Sequence, residues 1–112
     1  ALQASDGIII SFAEHNGAYT TAFKNIFDWI SRLEKPIWCG KPMFLLSTST
    51  GPRGAKTVLE LAYLRLSRDM PNIPCFALPS YKETFDEEKG ITEATHLAAF
   101  NDALEIFVNQ LK

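Results

Sequence analysis

The sequence predicts an α/β protein built on a parallel sheet. Apolar runs and amphipathic stretches alternate along the whole chain, in the order strand, helix, strand, helix, strand, helix. That alternation implies right-handed crossovers between parallel strands. The apolar runs are continuous and rich in β-branched residues, as in strands covered on both faces. The first of them leads into a polar, Gly-containing loop and then a helix, the place where open α/β folds bind their ligands.

Gly7-Ile8-Ile9-Ile10-Ser11-Phe12 is the first strand. Phe23, Ile26, Phe27, Ile30 and Leu33 then recur at three- and four-residue steps, which predicts a helix that Pro36 ends. Lys24 and Asp28 on it are spaced for an i, i+4 salt bridge. Pro42 to Ser47 is the second strand, with proline at its first position, where no ladder bond is lost. Thr48 to Gly54 is a turn-forming loop. A helix follows from Ala55 with Val58, Leu59, Ala62 and Leu66 on one stripe, and Pro71 stops it. Ile73 to Leu78 is the third strand, and Pro74 makes it an edge strand or a late starter. Tyr81 to Gly90 reads as a charged loop. The last helix is expected from Thr92, its N-cap, with Leu97, Phe100, Leu104, Phe107, Val108 and Leu111 on its buried face.

The 112 residues allow one domain, and a chain of this length buries roughly two thirds of its unfolded surface. Net charge is −2, from 13 acidic and 11 basic residues, with no basic face for nucleic acid. The same balance is too mild for a carrier that docks by acidity alone. Cys39 and Cys75 fit neither a disulfide framework nor a zinc pattern, and read as buried free thiols. No apolar run approaches the ~20 residues that span a bilayer, so no membrane partner is expected. No signal-peptide pattern opens the chain, which makes a cytoplasmic location the default. Three strands form a thin sheet, and the chain opens almost directly on a strand as hydrophobic as a central one. The expectation is that residues 1–112 are the C-terminal portion of a larger single domain whose N-terminal part is missing here. Alone, the first strand would leave an open, aggregation-prone edge.

Two loops are candidates for a site. Glu14, His15, Asn16 and Gly17 follow the first strand, where they make either a plain turn with a capping Asn or a ligand contact. Ser47, Ser49, Thr50 and Gly51 follow the second, where they cap the next helix or line the same ligand. Gly17 lets a backbone approach a ligand closely. Arg53 reads foremost as a solvated loop charge. His96 has no assigned role. Trp29 and Trp38 suit packing or an interface.

Ala4-Ser5-Asp6-Gly7-Ile8-Ile9-Ile10, then Glu14-His15-Asn16-Gly17, Phe23-Lys24-Asn25 and Asp28-Trp29 resemble the NAD(P)H-dependent FMN reductases of the flavodoxin-like class. That family includes quinone, azo-dye and chromate reductases. Its signature loop is Pro-Glu-Tyr-Asn-Gly, followed by Leu-Lys-Asn and Asp-Trp. The resemblance continues through Gly40-Lys41-Pro42, Leu46-Ser47-Thr48-Ser49, Gly51, Gly54-Ala55 and Phe85-Asp86-Glu87 to the helix after Gly90-Ile91-Thr92. Ala13 and His15 depart from it, standing where the family usually has Pro and Tyr, although His15 keeps a flat ring. The family's first strand and Ser-rich phosphate loop have no counterpart in residues 1–112.

The resemblance implies a flavodoxin-like three-layer sandwich that binds FMN and uses NAD(P)H as co-substrate. It implies hydride transfer through the flavin to a quinone-like or other small-molecule electron acceptor. The non-enzymatic alternative is a flavodoxin-like electron carrier. Glu14, His15, Asn16, Gly17, Ser47, Ser49, Thr50 and Gly51 are the implied cofactor-binding residues. Backbone amides near the flavin's pyrimidine edge would stabilise the reduced ring. Hydride transfer needs no side-chain acid or base, so no catalytic residue and no metal ligand is named. The implied assembly is a homodimer or homotetramer, with the helix from Phe23 to Leu33 at its interface.

Overall fold

The computed structural model describes residues 5–14, 17–33, 40–68 and 72–112. At its centre lie three parallel strands in the order β1 (Ile8–Phe12), β2 (Met43–Thr48) and β3 (Cys75–Leu78). Ile8 stands opposite Met43, and Leu45 opposite Cys75. Helix α1 (Thr21–Leu33) connects β1 to β2, and α2 (Lys56–Leu66) connects β2 to β3. After β3 come one helical turn, α3 (Tyr81–Thr84), and a short antiparallel hairpin of β4 (Phe85–Asp86) and β5 (Gly90–Ile91). The long helix α4 (Ala94–Gln110) follows.

Alternation along β2 splits the core in two. Met43 and Leu45 pack to one side with Ile8, Phe12, Phe27 of α1 and Val58, Leu59, Ala62 and Leu66 of α2. Phe44 packs to the other with Phe76, Leu78 and Ala103 and Phe107 of α4. The sheet is therefore the middle layer of three. The expected α2 stripe is buried at all four positions.

Helix α1 is capped by Thr20, whose Oγ1 accepts from the Phe23 N–H at 3.1 Å. It docks through a run of rings: Phe12–Phe23 at 4.9 Å, Tyr19–Phe23 at 5.2 Å and Phe23–Phe27 at 5.8 Å between centroids. The Arg65 guanidinium of α2 lies 5.1 Å from the Phe27 ring centroid. The Lys24–Asp28 bridge forms at 2.6 Å, exposed, and contributes about 0.3–0.5 kcal/mol.

Four expectations are corrected. Strand β1 is covered on one face only: Ile8 and Phe12 are buried, while Ile9 is 57% exposed and Ser11 is also exposed. The reason is that α4 packs on residues of β2 and β3, and the cluster beneath it contains none from β1. For the same reason the α4 face is narrower than its periodicity suggests. Ala103 and Phe107 are buried, Phe100 and Leu104 partly so, and Leu97, Val108 and Leu111 stay exposed. The stretch from Tyr81 to Gly90 is ordered structure, not a plain charged loop. Tyr81 stacks on Phe85 at 5.0 Å, and the Asp86 carboxylate accepts from the N–H groups of Glu88 and Lys89. Thr92 does not cap α4: its N–H donates to the Thr84 carbonyl at 2.8 Å, and Glu93 takes the cap position without a capping hydrogen bond from its side chain. Strand β3 starts after Pro74 and lies at the edge of the three-stranded sheet, as its proline implies. Pro36, Pro71, Trp38 and Cys39 lie outside the described residues.

Candidate functional site

The loops that leave β1, β2 and β3 all emerge at the carboxyl end of the sheet, and hydrogen bonds join them in series. The N-cap position of α2 is Ala55, which has φ 61° and no side-chain oxygen to cap with. The cap comes from the first loop. The Glu14 carboxylate accepts from the Val58 N–H at 2.8 Å, across 44 residues of sequence. A carboxylate is favoured there by the helix dipole and by the orphan amides of the first turn.

The second loop is tied inward and sideways. The Ser47 hydroxyl, 3% exposed, donates to the Gly54 carbonyl at 2.7 Å. Gly51 N–H donates to the Ser49 Oγ at 3.2 Å. Toward the third loop, the N–H groups of Ser80 and Tyr81 donate to the carbonyls of Gly51 and Ser49, at 2.8 and 2.9 Å. The Thr48 hydroxyl donates to the Leu78 carbonyl at 2.8 Å. Gly54 has φ 61°, and a Cβ there would stand 2.5 Å from the Leu78 carbonyl oxygen. Only glycine lets the two loops pack this closely.

Of the residues expected at the site, Glu14 is exposed with its carboxylate engaged on α2. His15 and Asn16 lie outside the described residues. Gly17 has φ 77°, and no atom lies within 4 Å of where a Cβ would stand. Ser47 lies beneath the surface, holding the loop by its Gly54 bond. Ser49 is half-buried and Thr50 exposed. Gly51 faces open space apart from the Ser49 Oγ, 3.6 Å from a would-be Cβ. Among the described residues, the backbone N–H groups of Thr50 and Arg53 have no partner. The carboxyl-end surface thus offers two side-chain-free glycines and free backbone donors. That combination fits a flat, polar-edged ring that approaches a backbone closely.

Sequence reasoning missed Gly54, Ser80 and Tyr81. The Gly-Pro-Arg-Gly turn carried a signal for Gly54, since a turn of this kind ends where positive φ is needed. Nothing local signals that Glu14 caps α2.

Two hollows flank these loops. One of about 440 Å³ opens between the sheet, α4 and the hairpin, with Ser11, Thr48, Tyr81 and Lys89 among its walls. A larger groove of about 960 Å³ runs along β3 between α2 and α4, past Glu60, Cys75 and His96. The larger one meets the second loop only at Pro52 and Arg53, and its walls are those of a sheet edge. The loops at the strand ends are the candidate site by their place in the fold, not by the volume of the hollows beside them.

Two groups carry shifted pKa values: Tyr19, late in the first loop, and Cys75, at the start of β3. Burial raises the Tyr19 hydroxyl above its usual range, opposed by Arg65 and then Lys24, and this hydroxyl donates to the Leu61 carbonyl at 3.2 Å. Burial also pushes the Cys75 thiol from 9.0 up to about 11. A thiol held neutral in the native state favours folding fully below its unfolded pKa. That contribution fades as pH rises from 9 toward 11. Cys75 is therefore expected to alkylate with iodoacetamide at pH 8 far more slowly than the same thiol in urea. Equal rates would show that it is not shielded.

The sequence profile of the family described as NADPH-dependent FMN reductase matches residues 1–84. The chain is 28% identical over 93 residues to an NADPH:quinone oxidoreductase of Arabidopsis thaliana, covering 80% of this chain and 47% of that protein. It is 34% identical over 53 residues to a quinone reductase of Escherichia coli (strain K12), covering 47% of this chain and 28% of the relative. The chain thus spans half or less of these relatives' length. Among solved structures it superposes on the flavoenzyme FerB, an NAD(P)H:(acceptor) oxidoreductase from Paracoccus denitrificans. The TM-score is 0.76 at 21% identity, over 98% of this chain and 63% of that one. The fold is flavodoxin-like.

Proposed function

The chain belongs to the NADPH-dependent FMN reductase family, and on that premise we propose that its protein is an FMN-dependent NAD(P)H oxidoreductase acting on quinone-like or other small acceptors. The observation that supports this reading best is the series of loops at the carboxyl end of the sheet, with Gly17, Gly51 and the free amides of Thr50 and Arg53 turned to open space or unspent. When bound, FMN would supply the two-electron relay between nicotinamide and acceptor. The chain's part is to bind and orient it. In this reading Glu14 and Gly17 stand on one wall, His15 and Asn16 are kept as proposed contacts from the sequence, and Ser49, Thr50 and Gly51 form the other wall. Ser47 holds the second wall from below. A reducing cytoplasm is the assigned compartment, in keeping with the free Cys75 thiol.

Anaerobic stopped-flow spectroscopy on the purified protein carrying this sequence, loaded with FMN, tests the activity. NAD(P)H should bleach the flavin band, and a quinone should restore it. Bound flavin that NAD(P)H leaves oxidised would instead indicate an electron carrier.

The same reading assigns a homodimer or homotetramer. Its support is the outer face of α1, where Ile26 and Trp29 are 57% and 60% exposed, one turn apart. Trp29→Asp should shift the sedimentation coefficient to that of a monomer with the helical spectrum unchanged. An unshifted assembly would remove α1 from the interface.

A further inference from the structure

We infer that Glu14 is a positioning residue for the flavin site proposed above, acting through α2 and not by touching the ligand with its carboxylate. The inference rests on the proposed function for its ligand and on geometry for its action. Glu14 stands two residues past the end of β1, and its carboxylate reaches the third residue of α2, Val58, at 2.8 Å. Helix α2 has no cap of its own, because Ala55 in the cap position offers no oxygen. The second loop runs directly into that helix start and is fixed on its far side by Ser80 and Tyr81. The Glu14 bond ties the first loop to the start of α2 through a side chain, so it sets the spacing between the two walls of the proposed site. A ligand held between two loops gains from their being pre-set, since no ordering remains to be done on binding.

The experiment compares wild type, Glu14→Ala and Glu14→Gln. A glutamine keeps a carbonyl oxygen that can accept from Val58, whereas alanine keeps nothing. In flavin-free protein, amide exchange at Val58, Gly51 and Gly54 should quicken about tenfold in Glu14→Ala, the step that corresponds to ~1.4 kcal/mol of local opening, and glutamine should recover most of it. At a temperature where all three are folded, FMN titrated by fluorescence should bind about tenfold more weakly to Glu14→Ala, again largely recovered by glutamine. Unchanged exchange in Glu14→Ala overturns the inference, whether or not flavin binds. So does weakened FMN binding in which alanine and glutamine are equally impaired, because that pattern means direct contact by the charged group. A lower melting temperature with unaltered FMN affinity reduces Glu14 to a helix cap and also overturns it. Wild type that shows the tie by exchange yet takes up no FMN counts against the proposed function, and the positioning of a flavin falls with it, while the tie itself stands.

Discussion

Replacing Gly54 with alanine should cost the protein about 2–5 kcal/mol and loosen the carboxyl-end surface with it. Two terms add. An L-residue in the left-handed region costs about 1–2 kcal/mol, and Gly54 sits at φ 61°. The added Cβ would also stand 2.5 Å from the Leu78 oxygen and 2.6 Å from its carbonyl carbon. Those atoms are backbone at the end of β3 and cannot rotate away, so overpacking adds about 1–3 kcal/mol. Shifting this residue also breaks the buried Ser47–Gly54 bond. Gly17→Ala is the control. Gly17 shares the positive φ, at 77°, but its Cβ would meet nothing, so only the backbone term of about 1–2 kcal/mol applies. Urea denaturation of the two variants should separate them by their midpoints. Equal losses would mean that the close approach to β3 contributes nothing.

Phe44→Ala should be still more costly, at about 3–5 kcal/mol. Phe44 is 1% exposed and is the second residue of the central strand. Its ring faces Phe107 at 5.7 Å and Phe100 at 6.0 Å, both on α4. Removing it empties the contact that seats α4 on the sheet, whereas the opposite core, built on Met43 and Leu45, is untouched. Amide exchange should therefore rise first along α4 and the hairpin and later along α2. A uniform loss of protection would show that the two cores unfold as one unit.

The reading of the sequence succeeded where the cause is local. The stripe of Val58, Leu59, Ala62 and Leu66 is a helical period on one element, and it is buried as written. The strand runs and the Lys24–Asp28 pair are local in the same sense. Failures arose where a distant partner decides. Whether Ile9 is covered depends on where α4 lies, which no pattern within Ile8–Phe12 encodes. Thr92 looks like a cap until its amide is claimed by Thr84 across the hairpin. At the site, the two loops were legible from Gly-containing stretches after strands. The engagement of Glu14 with Val58 was not, since the two are 44 residues apart.

The central claim is that the loops after β1 and β2 form one flavin-binding surface at the carboxyl end of the sheet. The most direct test follows backbone amide resonances of the purified protein carrying this sequence while FMN is added. The account predicts saturable shifts confined to Glu14, Gly17 and Ser47 to Gly54, with the groove beside Glu60, Cys75 and His96 silent. Shifts centred on that groove, or none at saturating FMN, would contradict it.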